Sequence, residues 1–161
     1  MLKTIAYDRA SAIQYAETWA LSRNPQYYNF DPIGGDCTNF ISQCLFAGSG
    51  IMNETPITGW YYHGLNRRSA AWTGVEYLAR FLLTNDGPGP RAKEVPISAL
   101  RPGDIVQLGT DNGHFYHSLL VLSNPGPPFV AAHTDDSIYR TLSDYLFGLA
   151  RGLHITEVGL P

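Results

Sequence analysis

The chain has 161 residues, 44% hydrophobic and only 16% charged, with 16 glycines and 11 prolines. This suits one globular, loop-rich domain over 1–161 with a proper core, and excludes disordered and collagen-like chains. A net charge of −3 with scattered Lys and Arg leaves no broad basic footprint for nucleic acid, and no apolar run reaches the ~20 residues that span a bilayer.

The opening Met1-Leu2-Lys3-Thr4 carries no apolar h-region, so no signal peptide is expected in this sequence. Residues 8–22 read as a first helix, with Asp8 as N-cap and Ala12, Tyr15, Ala16, Trp19 and Ala20 on one stripe. Asn24-Pro25 stops it, and Tyr27-Tyr28-Asn29-Phe30 leads into Gly34-Gly35-Asp36. A second helix starts at Cys37, where Cys37, Phe40, Ile41, Cys44 and Leu45 share a face, and ends at Gly48-Ser49-Gly50. An irregular aromatic segment runs from Trp60 to Trp72. Thr73-Gly74-Val75-Glu76 then fits a capping box for a third helix carrying Val75, Leu78, Ala79 and Leu82.

Beyond Leu83 the texture changes. Asn85-Asp86-Gly87-Pro88-Gly89-Pro90 reads as a loop. Short apolar runs over 105–108, 118–122 and 129–132 read as strands, with a possible further one over 153–158. Asn124-Pro125-Gly126-Pro127-Pro128 is the expected hairpin turn between the second and third runs. Helices first and strands afterwards argue α+β, with N-terminal helices on a C-terminal antiparallel sheet.

The two cysteines, Cys37 and Cys44, lie seven helical residues and roughly 10.5 Å apart along the axis, beyond the ~7 Å that a disulfide spans. Each therefore needs its own explanation. Cys44 sits on the apolar face as a core residue. Cys37 opens the helix behind two glycines, where the helix dipole and free N–H groups lower a thiol pKa and favour a nucleophilic thiolate. Asp36 reads as the N-cap acceptor of that helix, with a charge that opposes thiolate formation. Among His63, His114, His117, His133 and His154, two stand out: His117 opens one strand and His133 closes the next. Paired hairpin ends place them side by side, the layout of a base and the group that orients it.

Tyr7-Asp8-Arg9-Ala10, Asn24-Pro25, Gly34-Gly35-Asp36-Cys37-Thr38-Asn39-Phe40-Ile41-Ser42-Gln43, Trp60-Tyr61-Tyr62, residues 69–72, Pro102-Gly103-Asp104-Ile105-Val106, His117-Ser118 and His133-Thr134-Asp135-Asp136 together resemble the bacterial putative amidase domain family. That family is grouped with the NlpC/P60 and CHAP papain-like cysteine hydrolases. The resemblance covers about residues 7–158 and implies a papain-like, NlpC/P60-type fold. It implies a Cys37 nucleophile, a His117 base, a third polar residue on the following strand and a thioester intermediate in hydrolysis of amide bonds in peptidoglycan peptides. Position favours His133 for the third role, with Asp136 as its rival. Tyr27 or Tyr28 could donate to the oxyanion or bind substrate, and Trp60, Tyr61, Tyr62 and Trp72 could line a groove or fill the core. Asn39 and Gln43 are expected to be structural.

The expected protein is a monomer working outside the cell or at the wall, as a domain of an exported protein or as a lysin. It needs no cofactor and no metal, and does not insert in a membrane. Two alternatives are a non-catalytic wall-binding module and a zinc amidase using His114, His117, His133 and Cys37. The zinc reading is weak because i, i+3 spacing on a strand start does not converge side chains, and no Glu lies between His114 and His117.

Overall fold

The computed structural model describes residues 3–123 and 127–161. Four helices, α1 (Arg9–Trp19), α2 (Cys37–Ser49), α3 (Ala70–Thr73) and α4 (Val75–Thr84), precede most of a seven-stranded sheet. Its strands are β1 (Thr4–Ile5), β2 (Gly89–Val95), β3 (Ile105–Gly109), β4 (Phe115–Ser123), β5 (Phe129–Ala132), β6 (Ser137–Thr141) and β7 (Leu149–Gly159). Every pairing is antiparallel. The long β7 carries β2 on one edge and β3 and β1 on the other, and β3 leads on to β4, β5 and β6. This is an α+β domain. Among the described residues no helix is long and apolar enough to cross a membrane.

The strands alternate as a sheet covered on both faces must. Ile105, Leu120, Leu122, Ala131, Leu153 and Ile155 face the helices and join Phe40, Ile41, Cys44 and Leu45 of α2 in the main core. Val106, Leu108, Leu119, Val121, Val130 and Ala132 face the other way into a smaller core closed by Leu100 and Leu142. Helix α2 is enclosed on nearly every side, so its polar residues must find partners inside. Trp60 Nε1 donates to Ser42 Oγ at 3.0 Å, Ser42 Oγ to the Trp72 carbonyl at 2.8 Å, and Trp72 Nε1 to Asn39 Oδ1 at 2.9 Å. Tyr15 donates to the Gln43 side chain. Asn39 and Gln43 thus have structural contacts, and the aromatic segment folds onto α2 through its indoles.

The N-terminal motif is a clasp. Tyr7 donates its hydroxyl to the Gly103 carbonyl at 2.9 Å, and Arg9 binds the Pro102 carbonyl, the Ile155 carbonyl and Asp104 Oδ1 at 2.7–2.9 Å. Asp104 is fully buried and also accepts from the backbone N–H groups of Arg101 and Ile155 and faces His154 Nδ1. Where α1 crosses α2, the Asp8 N–H reaches the Gly48 carbonyl at 2.8 Å, and a Cβ on Gly48 would sit 2.5 Å from the Tyr7 ring. Only glycine admits that approach.

Several expectations need correction. Helix α1 begins as read, with Asp8 accepting from Ser11 N at 3.0 Å, but stops at Trp19, whose carbonyl turns to Ser22 N and His133. Thr73 caps nothing: it ends α3, and Gly74 supplies the N-cap backbone of α4 without a side-chain bond. The loop read at 85–90 is shorter, because Gly89 and Pro90 open β2. That strand pairs only with β7, and an edge strand tolerates the missing proline N–H. Strands β1, β2 and β6 and the short helix α3 escaped the sequence: β1, β6 and α3 are short, β2 opens on Gly-Pro breakers, and α3 lies in the segment read as irregular. The hairpin turn expected at 124–128 lies partly outside the described residues, as do Met1 and Leu2.

The Arg9–Asp104 pair yields a prediction. Asp104 is 0% exposed and Arg9 18%, so Arg9→Met strands a buried carboxylate and should cost about 2–4 kcal/mol. Calorimetry should show the melting point falling by roughly 5–15 °C. An unchanged melting point would refute the clasp.

Candidate active site

The chain approaches α2 through two left-handed residues, Gly34 at φ 109° and Gly35 at φ 103°. Cys37 follows as the first helical residue, half-buried, while Cys44 is fully enclosed; both are free thiols. The Cys37 sulfur lies 3.7 Å from Thr38 Oγ1, and the backbone N–H groups of Ser118 and Thr38 bear on it. A buried polar chain holds this helix end against the sheet. Thr38 Oγ1 meets Ser118 Oγ at 3.0 Å, and Gln107 Nε2 donates to Ser118 Oγ at 3.2 Å. Gln107 Oε1 in turn accepts two bonds from Arg151 at 2.6 and 2.9 Å. These residues, except for the motif members, gave no sequence signal: their roles depend on β3, β4 and β7 lying side by side.

His117, next to Ser118 on β4, opens into the same cavity as Cys37. The cavity measures about 420 Å³ and is bounded by Gly34, Gly35 and Cys37 on the helix side. His117, Tyr116, Thr134, Asp135, Arg140 and Tyr145 complete most of its wall. The imidazole makes no hydrogen bond among the described residues, and its ring centroid lies 6.1 Å from that of Tyr145. Burial pushes its pKa down to about 4; Asp135 acts in the opposite direction and Arg140 adds to the lowering.

The thiol departs from expectation in the other sense. Burial raises the Cys37 pKa, and Asp36 adds to that. The N–H groups of Ser118 and Thr38 and the Thr38 hydroxyl oppose it without prevailing. Near neutral pH the cavity therefore holds a thiol and a neutral imidazole, not a preformed thiolate. The helix terminus is outweighed by desolvation.

His133 is placed elsewhere. It is 1% exposed and stacks on Phe40 with centroids 4.0 Å apart. Its Nδ1 donates to Asp36 Oδ2 at 2.6 Å and its Nε2 to the Trp19 carbonyl at 2.8 Å. Both partners are acceptors, so the two bonds are complete only for the doubly protonated ring. The hairpin register explains the outcome. Leu120 faces Ala131, so His133 continues the helix-facing row of Ala131, while His117 falls in the opposite row with Leu119. The two imidazoles are near in register but on different faces. Asp136 is likewise engaged, accepting from Arg23 at 2.7 and 2.9 Å outside the cavity.

Asp36 does not cap α2 with its side chain. Its carboxylate is fully buried and accepts from Phe30 N, Asn39 Nδ2 and His133, with Arg23 Nε 3.4 Å away. His133 and the other donors hold its pKa below the carboxylate norm even though burial acts upward. The three aromatics expected to bind substrate, Tyr27, Tyr28 and Trp60, also lie off the cavity. Trp60 is wholly enclosed in the core, Tyr27 packs on Trp72 and Tyr62, and Tyr28 meets Phe30 edge-on. Among the described residues, no three His, Cys, Asp or Glu side chains converge as a metal-holding group. The cavity residues that sequence reasoning missed are Asp135, Arg140 and Tyr145. Only Asp135, in the motif run with His133, carried any signal.

The fold and cavity define a class: an α+β domain whose central buried helix presents a cysteine to a histidine-bearing sheet. A family model described as a putative amidase domain matches residues 6–154. The chain belongs to that family, whose description points to amide hydrolysis and so to a hydrolase. It is 38% identical over 144 residues to the uncharacterized protein YhbB of Bacillus subtilis (strain 168), a match spanning 86% of this chain and 45% of that protein. The chain thus corresponds to under half the length of that relative. No solved structure matches it.

The pKa directions give a test. A raised thiol pKa means the reactive thiolate is scarce at neutral pH and grows as pH rises. Carboxymethylation of Cys37 by iodoacetamide, followed by peptide mass spectrometry, should accelerate steadily between about pH 6 and pH 9, the latter near an ordinary thiol midpoint. Cys44 should stay unmodified in the folded protein. A rate plateau below pH 7, or equal labelling of both thiols, would contradict this electrostatic picture.

Proposed function

We propose that this chain is a cysteine hydrolase that cleaves amide bonds in the peptide part of bacterial peptidoglycan, in the manner of the NlpC/P60–CHAP papain-like group. The observation that carries the reading is Cys37, at the first position of a buried helix, sharing a cavity with His117. The sequence resemblance supplies the substrate class, and the family description supports the reaction class. On this reading the domain acts as a monomer, without a cofactor, outside the cell or in the wall, in an exported protein or a lysin.

The chemistry follows from the resting protonation states. A neutral His117 accepts the Cys37 proton as the sulfur attacks the amide carbonyl carbon. The C=O electron pair moves onto oxygen, where the free N–H of Cys37 at the helix start is one available donor. Collapse of the tetrahedral intermediate breaks the C–N bond, and the imidazolium gives its proton to the departing amine. The acyl group remains on sulfur as a thioester. Water then attacks that carbonyl, giving one proton to His117, and the carboxylic acid leaves as the thiolate recovers the proton from the ring. Each cycle consumes one water and regenerates both residues.

Mass spectrometry of purified peptidoglycan incubated with the protein tests the proposal. Expected are fragments with one new amine and one new carboxyl, absent with Cys37→Ala and reduced about 10²–10⁴-fold with His117→Ala. Unchanged peptidoglycan, or full cleavage by Cys37→Ala, would overturn it. Binding without cleavage would make the domain a wall-binding module.

A further inference from the structure

The turn joining β5 to β6 runs through two consecutive left-handed residues that are not glycine, Thr134 at φ 65° and Asp135 at φ 54°. Non-glycine residues hold such conformations where their surroundings over-determine them, and they gather at functional sites. The surroundings here are specific. Thr134 Oγ1 accepts the Asp36 N–H at 3.4 Å, tying the turn to the residue before Cys37. Asp136, on the far side, is clamped by two bonds from Arg23. Between these anchors, Asp135 has no hydrogen-bond or ion-pair partner among the described residues, and it lines the cavity of Cys37 and His117. A turn tethered at both ends and strained in the middle holds one unpaired carboxylate at the site.

We propose that Asp135 is the positioning carboxylate of this site, held by its strained turn in the cavity of His117 to stabilise the imidazolium formed when that ring takes the Cys37 proton. The proposal rests on the Cys37–His117 reading above. The other charged groups of the cavity are Arg140 and Asp144. Arg140 stacks on the Tyr145 ring at 4.0 Å and donates to the Asp144 carbonyl at 3.1 Å, so it is a fixed cation opposing Asp135. His133 and Asp136 are spent on Asp36 and Arg23. The proton passes from Sγ to the His117 ring and no further. Its burial-driven opponent is visible in the resting ring, whose proton affinity is lowered overall while Asp135 acts to raise it.

NMR titration of the His117 ring in the full chain tests this without needing a substrate. Asn tolerates the left-handed region, so Asp135→Asn removes the charge and keeps the turn. It should lower the His117 midpoint by about half a pH unit, about threefold in proton affinity. Arg140→Gln should raise the midpoint, and Asp144→Asn should leave it in place. A midpoint unmoved by Asp135→Asn but moved by Arg140→Gln would overturn the proposal, as would an equal shift from Asp144→Asn; both outcomes leave the Cys37–His117 reading standing. Peptidoglycan cleavage undiminished by His117→Ala would refute that reading and the proposal with it.

Discussion

The buried carboxylate of Asp36 is the constraint on which the site depends. An ionised carboxylate in a protein interior costs several kcal/mol unless paired and fully hydrogen-bonded. Here Phe30 N, Asn39 Nδ2 and His133 Nδ1 satisfy it, each from a different part of the chain. The approach loop, the first turn of α2 and the end of β5 are thereby fixed to one another. His133 carries the connection on to the Trp19 carbonyl at the end of α1. Cys37 is the next residue along. Its position is therefore set by how a neighbouring charge is neutralised, not by contacts of the sulfur itself.

The Arg9–Asp104 clasp plays the same part at the other end of the helical layer, locking α1 to the β3 and β7 side of the sheet. Between the two ion pairs, α2 is wedged against β4 by the Thr38–Ser118–Gln107 chain. Many residues that carry the family resemblance do architectural work of this kind. Tyr7, Arg9, Asp104, Asp36, Asn39, Trp60, Trp72 and His133 all serve the interior, and the cavity borrows only Cys37, His117 and their nearest neighbours.

Burial sets the electrostatics of the cavity. Desolvation penalises the charged form of either group, so it raises the thiol and lowers the imidazole together. Both shifts favour the neutral pair at rest. Separation of charge is opposed by burial at both groups, with Asp135 favouring and Arg140 opposing a charged His117, and the N–H groups around the sulfur favouring a charged Cys37.

The amino-acid sequence by itself determined helices α1, α2 and α4, strands β3, β4 and β5 with part of β7, and two of the residues that line the cavity. Apolar spacing in α1, α2, β3, β4 and β5 is local, and a cysteine behind two glycines at a helix start is local too. It also separated the two thiols, because seven residues of helix hold them too far apart to bridge. What only the tertiary structure decided was the direction of side chains across the sheet and in the turns. His117 and His133 occupy neighbouring strand ends, yet the pleat sends them to opposite faces, and a one-residue difference in phase is invisible without the pairing register. The left-handed turn at Thr134 and Asp135 contains no glycine to announce it; the anchors Asp36 and Arg23 that hold it lie about a hundred residues away in sequence. Trp60 and Tyr27 could as well have lined a groove by composition. They fill the core because Ser42 on α2 offers the indole of Trp60 a partner and Trp72 offers Tyr27 a flat ring, and both partners come into reach only after the chain has closed on itself.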